Sequence, residues 1–240
     1  MLGAIIGDIV GSRFEFDNIK TTKFDMFAPD CRFTDDTVMT LAIAKAIVDA
    51  DGDWERLGGL AVKYMRELGR RYCPGDYGAN FSEWLHSDSI GPYNSYGNGA
   101  AMRVSPCGFA ARTLDEAKLL ARKVTEVTHN HPEGIKGAEA VASCIYMNRE
   151  GKSKDEIRAY VDKHYYPMDF TLDGIRADYE FNETCQDTVP QAITAFLESE
   201  GLRSAVRLAV SIGGDSDTLA AIAGSIAGAR YGIPDWERRS

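Results

Sequence analysis

The sequence predicts an all-α protein, a single-domain bundle of roughly ten helices over residues 1–240 with little or no sheet. Apolar residues recur at helical spacing through most of the long segments. Strand signals are weak, and MDFTLDG (168–174) is the one stretch that suggests a strand. No linker rich in Pro or Ser interrupts the chain, which favours one domain.

The predicted helices follow one another along the chain. The first clear pattern is DTVMTLAIAKAIVDA (36–50), in which apolar residues repeat every three or four positions. Helical spacing or helix-end signals continue in segments 53–72, 114–129, 133–151, 204–212 and 218–232. Gly151 is expected to cap the C-terminal end of its segment, since glycine adopts the left-handed conformation at little cost.

Two further helices are predicted from residues typical of helix ends. Ser153 and Glu156 have the spacing of a capping box and predict a helix through 157–165. Pro190 is expected to open a helix, because proline is favoured in a first turn. Gly201 is expected to close that same helix.

Charge and composition exclude several classes of protein. The 240 residues carry a net charge of -9 and are 44% hydrophobic, which is ordinary for a soluble globular protein. No basic block is present, so nucleic-acid binding through a basic groove is not expected. An acidic chain also repels a phosphorylated substrate, unless bound cations reverse the local charge.

The cysteines and the N-terminus indicate the cellular compartment. The five cysteines are scattered and form no C-x-x-C pair, which predicts a reducing, cytoplasmic location without disulfides or a zinc cluster. The apolar start MLGAIIGDIVG (1–11) lacks a basic region and contains Asp8, so we do not expect a signal peptide. No apolar run is long enough to predict a membrane span.

Two acidic motifs begin apolar helices that are rich in small residues. FTDDT (33–37) precedes one such helix and GGDSDT (213–218) precedes the other. Each motif alone is explained by helix capping, which needs one side-chain oxygen. Four carboxylates at two facing helix starts would instead repel one another. Because Mg²⁺ and Mn²⁺ prefer such oxygen ligands, the two motifs predict a site for divalent cations.

A glycine-rich loop is the second unusual feature. The segment 91–101 is rich in Gly and aromatic residues, and SYGNGAAMR (95–103) could bring backbone amides close to phosphate oxygens. An ordinary glycine-rich turn explains the same residues. No G-K-[ST] follows, so the loop is not a P-loop.

Five motifs in order resemble the ADP-ribosylglycohydrolases, the family of dinitrogenase reductase-activating glycohydrolase. They are GDIVGSRFE (7–15), FTDDT (33–37), YGNGAAMRVSP (96–106), THNHPEG (128–134) and GGDSDTLAAIAG (213–224). The resemblance spans nearly the whole chain. It implies an all-α orthogonal bundle with two Mg²⁺ or Mn²⁺ ions, and hydrolysis of the glycosidic bond between ADP-ribose and an acceptor.

The resemblance also implies roles for individual residues. The metal ligands would be Thr34, Asp35, Asp36, Asp215, Asp217, Thr218 and Glu15. Glu15, Asp35 and Asp215 are the candidate catalytic groups, and Glu15 is a ligand, a gate or an acid–base group. The candidate substrate-binding residues are Ser95, Tyr96, Gly97, Asn98, Gly99, Ala100, Met102, His129, His131 and Tyr77. Of these, Tyr77 and Tyr96 would stack on adenine or ribose, although aromatic residues more often serve packing.

The expected substrate is an ADP-ribosylated protein or small molecule, and the expected product is ADP-ribose. Nucleic acid is expected only as an ADP-ribosylated acceptor, and no membrane partner is expected. The motifs leave the acceptor open among arginine, serine, an acetyl group, a nucleobase or a small molecule.

Four other functions compete with this interpretation. DSDT (215–218) resembles the D-x-D motif of haloacid dehalogenase-type phosphatases, but two glycines separate it from the preceding apolar run. An all-α terpenoid synthase would need a third acid in DDTVM (35–39). A structural relative without activity should lack metal ligands. A module that only binds ADP-ribose would keep them, and a turnover assay distinguishes it from a hydrolase.

Overall fold

The computed structural model describes residues 1–73 and 75–234 and confirms the all-α fold. Its helices are α1 (Leu2–Gly11), α2 (Asp35–Ala50), α3 (Leu57–Gly69), α4 (Ala79–His86), α5 (Gly99–Met102), α6 (Ser105–Ala110), α7 (Leu114–Thr125), α8 (Pro132–Arg149), α9 (Lys154–His164), α10 (Leu172–Ile175), α11 (Cys185–Glu198), α12 (Leu202–Val210) and α13 (Ser216–Tyr231). Short 3-10 segments cover Ser12–Phe14 and Trp54–Arg56. Within these described residues the β pairing is one isolated bridge, between Gly97 and Thr184. None of the described helices combines the length and apolarity that crossing a bilayer requires.

The capping box before α9 is confirmed, and the strand in 168–174 is not. Ser153 accepts a hydrogen bond from the Glu156 amide, and the Glu156 side chain accepts one from the Ser153 amide. In 168–174 the Thr171 side chain accepts a hydrogen bond from the Gly174 amide and caps α10. The threonine therefore starts a helical turn where the apolar alternation suggested a strand.

The predicted ends of the eleventh helix are wrong. Pro190 lies inside α11, which begins five residues earlier at Cys185. An interior proline removes one hydrogen bond of the helix, and the burial of most of α11 offsets that loss. Gly201 does not close α11, because Glu198 is its last residue. Gly201 is instead the N-cap of α12 in extended backbone, where the Ser204 hydroxyl accepts a hydrogen bond from its amide.

Helix α13 lies at the centre of the bundle. All residues from 216 to 227 are buried, as expected for a helix that is apolar or small on every face. Helices α1, α8, α11 and α12 pack around it. The antiparallel α1 approaches most closely, because a Cβ atom added at Gly7 would lie 2.0 Å from the carbonyl oxygen of Ala220. Glycine in α1 thus permits contact between the two backbones.

This contact predicts a large loss of stability for Gly7→Ala. Because the added methyl would overlap the backbone of α13, we expect unfolding to become easier by about 3 kcal/mol or more. Gly59→Ala is the matched control, since Gly59 lies in α3 with nothing within 4 Å of an added Cβ. Alanine is the better helix former there and should stabilise by about 0.5–1 kcal/mol. Denaturant midpoints measure both, and equal effects would contradict the packing argument.

Candidate active site

Asp8 of α1 organises the first acidic motif. Its carboxylate is fully buried and accepts hydrogen bonds from the amides and hydroxyls of both Thr34 and Thr37. Thr34 is the N-cap of α2, and its hydroxyl also accepts a hydrogen bond from the Asp36 amide. Burial raises the pKa of Asp8, and the four hydrogen bonds oppose that rise. Asp8 thereby fixes the backbone from which Asp35 and Asp36 project.

The two glycines of the second motif form a turn whose backbone conformation would be strained in any other residue. Gly213 and Gly214 have φ values of 71° and 76°, in the left-handed region. A Cβ at Gly214 would also lie 2.4 Å from the ring of Tyr179. The Asn18 side chain bonds to both the amide and the carbonyl of Gly214. This turn delivers Asp215 to the N-cap position of α13.

The two motifs meet at one end of α2 and α13, as their sequence similarity suggested. The Thr218 hydroxyl donates a hydrogen bond of 3.1 Å to Oδ2 of Asp36. Glu15, just beyond the 3-10 segment after α1, has a carboxylate oxygen within 4.8 Å of ligand atoms of Asp215 and Asp217. The acids of two distant segments and the end of α1 therefore form one cluster.

Burial and repulsion raise the pKa values of the whole cluster. Burial is the largest cause for Asp35, Asp36 and Asp217. Repulsion by Asp217 adds to it for Asp35 and Asp36, and repulsion by Asp215 adds to it for Asp217. The pKa of Asp215 rises to about 6 through burial, although the Asn98 amide donates to its carboxylate at 2.7 Å. Burial and then repulsion by Asp217 raise the pKa of Glu15 to about 8. Near neutral pH these acids destabilise one another when ionised.

The cluster has the properties of a divalent cation site. Oδ1 of Asp36 is buried and has no hydrogen-bond partner among the described residues. A buried carboxylate oxygen without a donor loses solvation that nothing in the protein replaces. An all-oxygen set with several carboxylates suits Mg²⁺ or Mn²⁺. The residues therefore fit a hard cation.

A cavity of about 300 Å³ lies against the cluster. From the acidic motifs it is lined by Glu15, Asp35, Asp36, Asp215, Asp217 and Thr218. From the glycine-rich loop and its surroundings it is lined by Ser95, Gly97, Asn98, Gly99, Met102 and His129. The structure thus brings most of the predicted metal-binding and substrate-binding residues to one space.

Five predicted residues do not line the cavity, and the first three of them are Thr34, Ala100 and Tyr77. Thr34 is buried in the contacts to Asp8 described above. Ala100 is fully buried in the core. Tyr77 packs its ring against Phe81, and its hydroxyl donates to the backbone carbonyl of Tyr72.

Tyr96 and His131 lie together outside the cavity lining. Their ring centroids are 5.1 Å apart, and the side chain of Tyr96 is 45% exposed. His131 is the N-cap of α8, where its Nδ1 accepts a hydrogen bond from the Glu133 amide. The ordinary role of a helix-end histidine accounts for this position.

Sequence reasoning missed several residues that build the site. Asp8 had a signal, a charged residue in the middle of an apolar helix. The other missed residues all line the cavity, and they are Asp76, Gly78, Ala79, Asn80, Phe81, Tyr93, Arg103 and Glu183. Tyr93 and Arg103 lie within 91–103, the segment already marked by its glycine content, and Asp76 lies in GDYGAN (75–80), a second glycine-rich segment. Phe81 and Glu183 have no local pattern that distinguishes them from core or surface residues.

Comparison with known proteins identifies the family. The family model described as ADP-ribosylglycohydrolase matches residues 1–239. The chain belongs to the ADP-ribosylglycohydrolase family. A solved structure titled ADP-ribosylglycohydrolase-related protein complex has the same fold, with a TM-score of 0.68 over 99% of this chain and 89% of that chain, at 24% identity.

Three named proteins are similar to this chain in sequence. ADP-ribosylarginine hydrolase Tri1 of Pseudomonas putida is 27% identical over 98% of this chain and 71% of its own length. The human ADP-ribosylhydrolase ARH3 is 24% identical over 97% of this chain and 84% of its own. ADP-ribosyl-[dinitrogen reductase] glycohydrolase of Rhodospirillum rubrum is 27% identical over 85% of this chain and 70% of its own.

Repulsion in the acid cluster predicts that the metal-free protein loses stability as pH rises. Groups whose pKa is raised in the folded state favour folding at low pH and lose that contribution as they ionise. With the pKa of Asp215 at about 6 and that of Glu15 at about 8, the loss of folding stability should extend from about pH 4 to about pH 8. Thermal unfolding in EDTA across this range measures it.

Asp36→Asn should make the metal-free protein more stable than the wild type at the upper end of that range. The variant keeps an acceptor for the Thr218 hydroxyl but removes one charge. Mg²⁺ at a hundred times its Kd should stabilise the wild type by about 2.7 kcal/mol and the variant by less. The exposed Asp169, changed to Asn, is the control. If the stability of Asp36→Asn changes no more than that of Asp169→Asn, Asp36 takes no part in the repulsion within the cluster.

Proposed function

We propose that this chain is a metal-dependent hydrolase that cleaves the glycosidic bond between ADP-ribose and an acceptor. The acceptor is a protein side chain or a small molecule, and ADP-ribose is the product. The observation that carries the proposal is the cavity, whose lining combines an acid cluster with a glycine-rich loop. The names of the similar proteins support it, since Tri1, ARH3 and the Rhodospirillum rubrum enzyme are ADP-ribosyl hydrolases by name.

The metal ligands in this proposal come from three segments. They are Thr34, Asp35, Asp36, Asp215, Asp217, Thr218 and Glu15. Thr34 qualifies although its hydroxyl already contacts Asp8 and the Asp36 amide, because a hydroxyl oxygen has a second lone pair. Two Mg²⁺ or Mn²⁺ ions bound here would orient the hydroxyls of the distal ribose and lower the pKa of a water.

The glycine-rich loop holds the rest of the substrate in this proposal. Gly97 and Gly99 leave the backbone open to a diphosphate or ribose, and Asn98 joins the loop to the acid cluster through its bond to Asp215. The aromatic rings at the cavity are Phe81 and Tyr93, and they replace Tyr77 and Tyr96 as candidates to contact adenine.

The carboxylates stabilise positive charge at the reacting sugar carbon and move the proton of the attacking water. Glycosidic cleavage passes through an oxocarbenium-like state, which nearby carboxylates stabilise. Glu15, Asp35 and Asp215 are the candidate proton carriers. Glu15 and Asp35 are both half-buried and Asp215 is buried, but only Glu15 is followed by a strongly exposed residue, Phe16, which is 84% exposed. Glu15 therefore lies on the solvent side of the cluster, where an acceptor enters.

Turnover should require divalent metal. A panel of substrates that carry ADP-ribose on arginine, serine, acetyl, nucleobase and small-molecule acceptors should give release of free ADP-ribose with Mg²⁺ or Mn²⁺. Excess EDTA, Asp35→Ala or Asp217→Ala should abolish it. ADP-ribose should also bind much more weakly without metal, since an acidic protein must hold a diphosphate. Asp169→Asn should be fully active.

Two results would contradict this proposal. Full activity in excess EDTA would exclude the metal-dependent reaction. Tight ADP-ribose binding without turnover on any substrate of the panel would identify a module that binds ADP-ribose and does not hydrolyse.

Glu15→Gln distinguishes the roles of that residue. If Glu15 transfers a proton, kcat should fall by about two orders of magnitude while ADP-ribose affinity stays within about tenfold. If Glu15 mainly binds metal, raising the metal concentration should restore activity. Asp17→Asn, two residues away at an exposed position, is the control. A wild-type rate at low metal would show that Glu15 has neither role.

A further inference from the structure

Arg103 is a buried cation without a buried anion beside it. Its side chain is fully buried, and it forms no ion pair with any residue in 1–73 or 75–234. Nη2 donates to the Val124 carbonyl at 3.2 Å and to Oγ1 of Thr128 at 2.7 Å, while Nε and Nη1 have no partner in that same part of the chain. Burial lowers the pKa of Arg103 to about 10, so it is still charged at neutral pH. A charge buried at such cost needs an explanation.

The hydrogen bond from Arg103 limits the partners to which the Thr128 hydroxyl can donate. A guanidinium can only donate, so Oγ1 of Thr128 accepts from Arg103 and keeps one proton to give. Two acceptors are in reach, Nδ1 of His129 at 2.8 Å and the Thr125 carbonyl at 3.5 Å. Hydroxyl hydrogen bonds are about 2.5–3.0 Å long, which makes Nδ1 the better placed of the two acceptors. A proton given to Nδ1 requires that this nitrogen carries no proton of its own.

We propose that Arg103 and Thr128 are positioning residues that hold His129 as the tautomer protonated at Nε2. The inference rests on the function proposed above and names a device within the same site. His129 would donate one hydrogen bond from Nε2 to an oxygen of the bound ADP-ribosyl group. Although Arg103 also lines the cavity, its unpartnered nitrogens are buried, so the proposal assigns it no contact with the substrate.

The surroundings of His129 direct Nε2 to the glycine-rich loop. A Cβ built at Gly99 would lie 3.4 Å from Nε2, and one at Gly97 would lie 3.6 Å away. Tyr93 packs against the imidazole with ring centroids 5.8 Å apart, and a Cβ at Gly134 would lie 3.2 Å from Cβ of His129. The ring therefore cannot rotate freely, and Nε2 has no partner among the described hydrogen bonds. The glycines leave the space in front of Nε2 open for a ligand oxygen.

The histidine stays neutral as well as oriented. Burial, and then the charge of Arg103, lower the pKa of His129 well below its ordinary value. A neutral imidazole has one donor and one acceptor, and which nitrogen donates is set by the partner of the other. Without the Arg103–Thr128 chain the proton could occupy Nδ1, and Nε2 would then repel a phosphate or hydroxyl oxygen through its lone pair.

Nitrogen-15 NMR of the metal-loaded protein, free of ADP-ribose, tests the tautomer directly. The chain has four histidines, and His129→Gln assigns the signal of His129. We expect the protonated nitrogen to be Nε2 in the wild type and in Thr128→Ser, which keeps a hydroxyl. Thr128→Val should shift the population towards Nδ1. A wild-type signal from the Nδ1-protonated form would overturn the proposal, and so would a Thr128→Val spectrum identical to the wild type.

Calorimetry with ADP-ribose and Mg²⁺ tests the consequence for binding. Loss of one oriented neutral hydrogen bond should raise the Kd of Thr128→Val about three- to tenfold, and Thr128→Ser should stay within about twofold of the wild type. The His129→Gln side chain reaches the position of Nε2 with an amide that donates without help from Thr128. In that background Thr128→Val should change the Kd by less than about twofold. If Thr128→Val weakens ADP-ribose binding equally in the wild type and in His129→Gln, the role of Thr128 is purely structural and the proposal is wrong.

The two measurements separate this inference from the proposed function. If the wild type does not bind ADP-ribose at all, the proposed function fails, and the NMR result still decides the tautomer. If Thr128→Val does not fold, the wild-type spectrum decides, because protonation at Nδ1 overturns the inference and protonation at Nε2 supports it.

Discussion

The structure depends on holding several carboxylates together in a buried place. Burial and mutual repulsion both act against ionised Asp35, Asp36 and Asp217. The fold lessens this cost because Asp35 and Asp36 lie in the first turn of α2 and Asp217 in the first turn of α13, where the helix dipole is positive. It does not remove the cost, as the unpartnered Oδ1 of Asp36 shows. A bound cation would offset the repulsion that the helix ends and the hydrogen bonds leave uncompensated.

Close packing of α1 on α13 lets segments far apart in sequence build this cluster. A Cβ at Gly11 would lie 2.5 Å from Cα of Asp217, so the end of α1 lies directly on the second acidic motif. The same helix carries Asp8 to the first motif and leads into Glu15. One helix thus contacts both acidic starts, and a shift of α1 would move Asp8 and Glu15 together. The close packing of α1 on α13 therefore contributes both to the stability of the core and to the geometry of the site.

The sequence was informative wherever the signal lay within a few residues. The helical periods and the Ser153–Glu156 capping box are local patterns that the structure confirms. The two acidic motifs predicted helix starts that meet, which the structure also has, while the cation site there stays a prediction. The prediction for Pro190 was wrong because it relied on the preference of proline for a first turn. Pro190 lies inside α11, where the burial of the helix offsets the lost hydrogen bond. The roles of Asp8 and Arg103 were not predicted because they depend on partners more than 20 residues away, Thr34 and Val124 among them. Tyr96 and Tyr93 are close in the same loop, and only tertiary structure shows which one faces the cavity.

The charge distribution of the cavity explains how an acidic protein could hold a diphosphate. The carboxylates of the acid cluster need cations, and bound cations would make the field there positive. Arg103 donates to Thr128, which contacts His129 at the cavity, so its buried guanidinium adds a further positive charge. The backbone at Gly97 and Gly99 adds no charge and leaves room. The net charge of -9 is therefore no obstacle to the proposed substrate, because the local field in the cavity is set by a few groups around it.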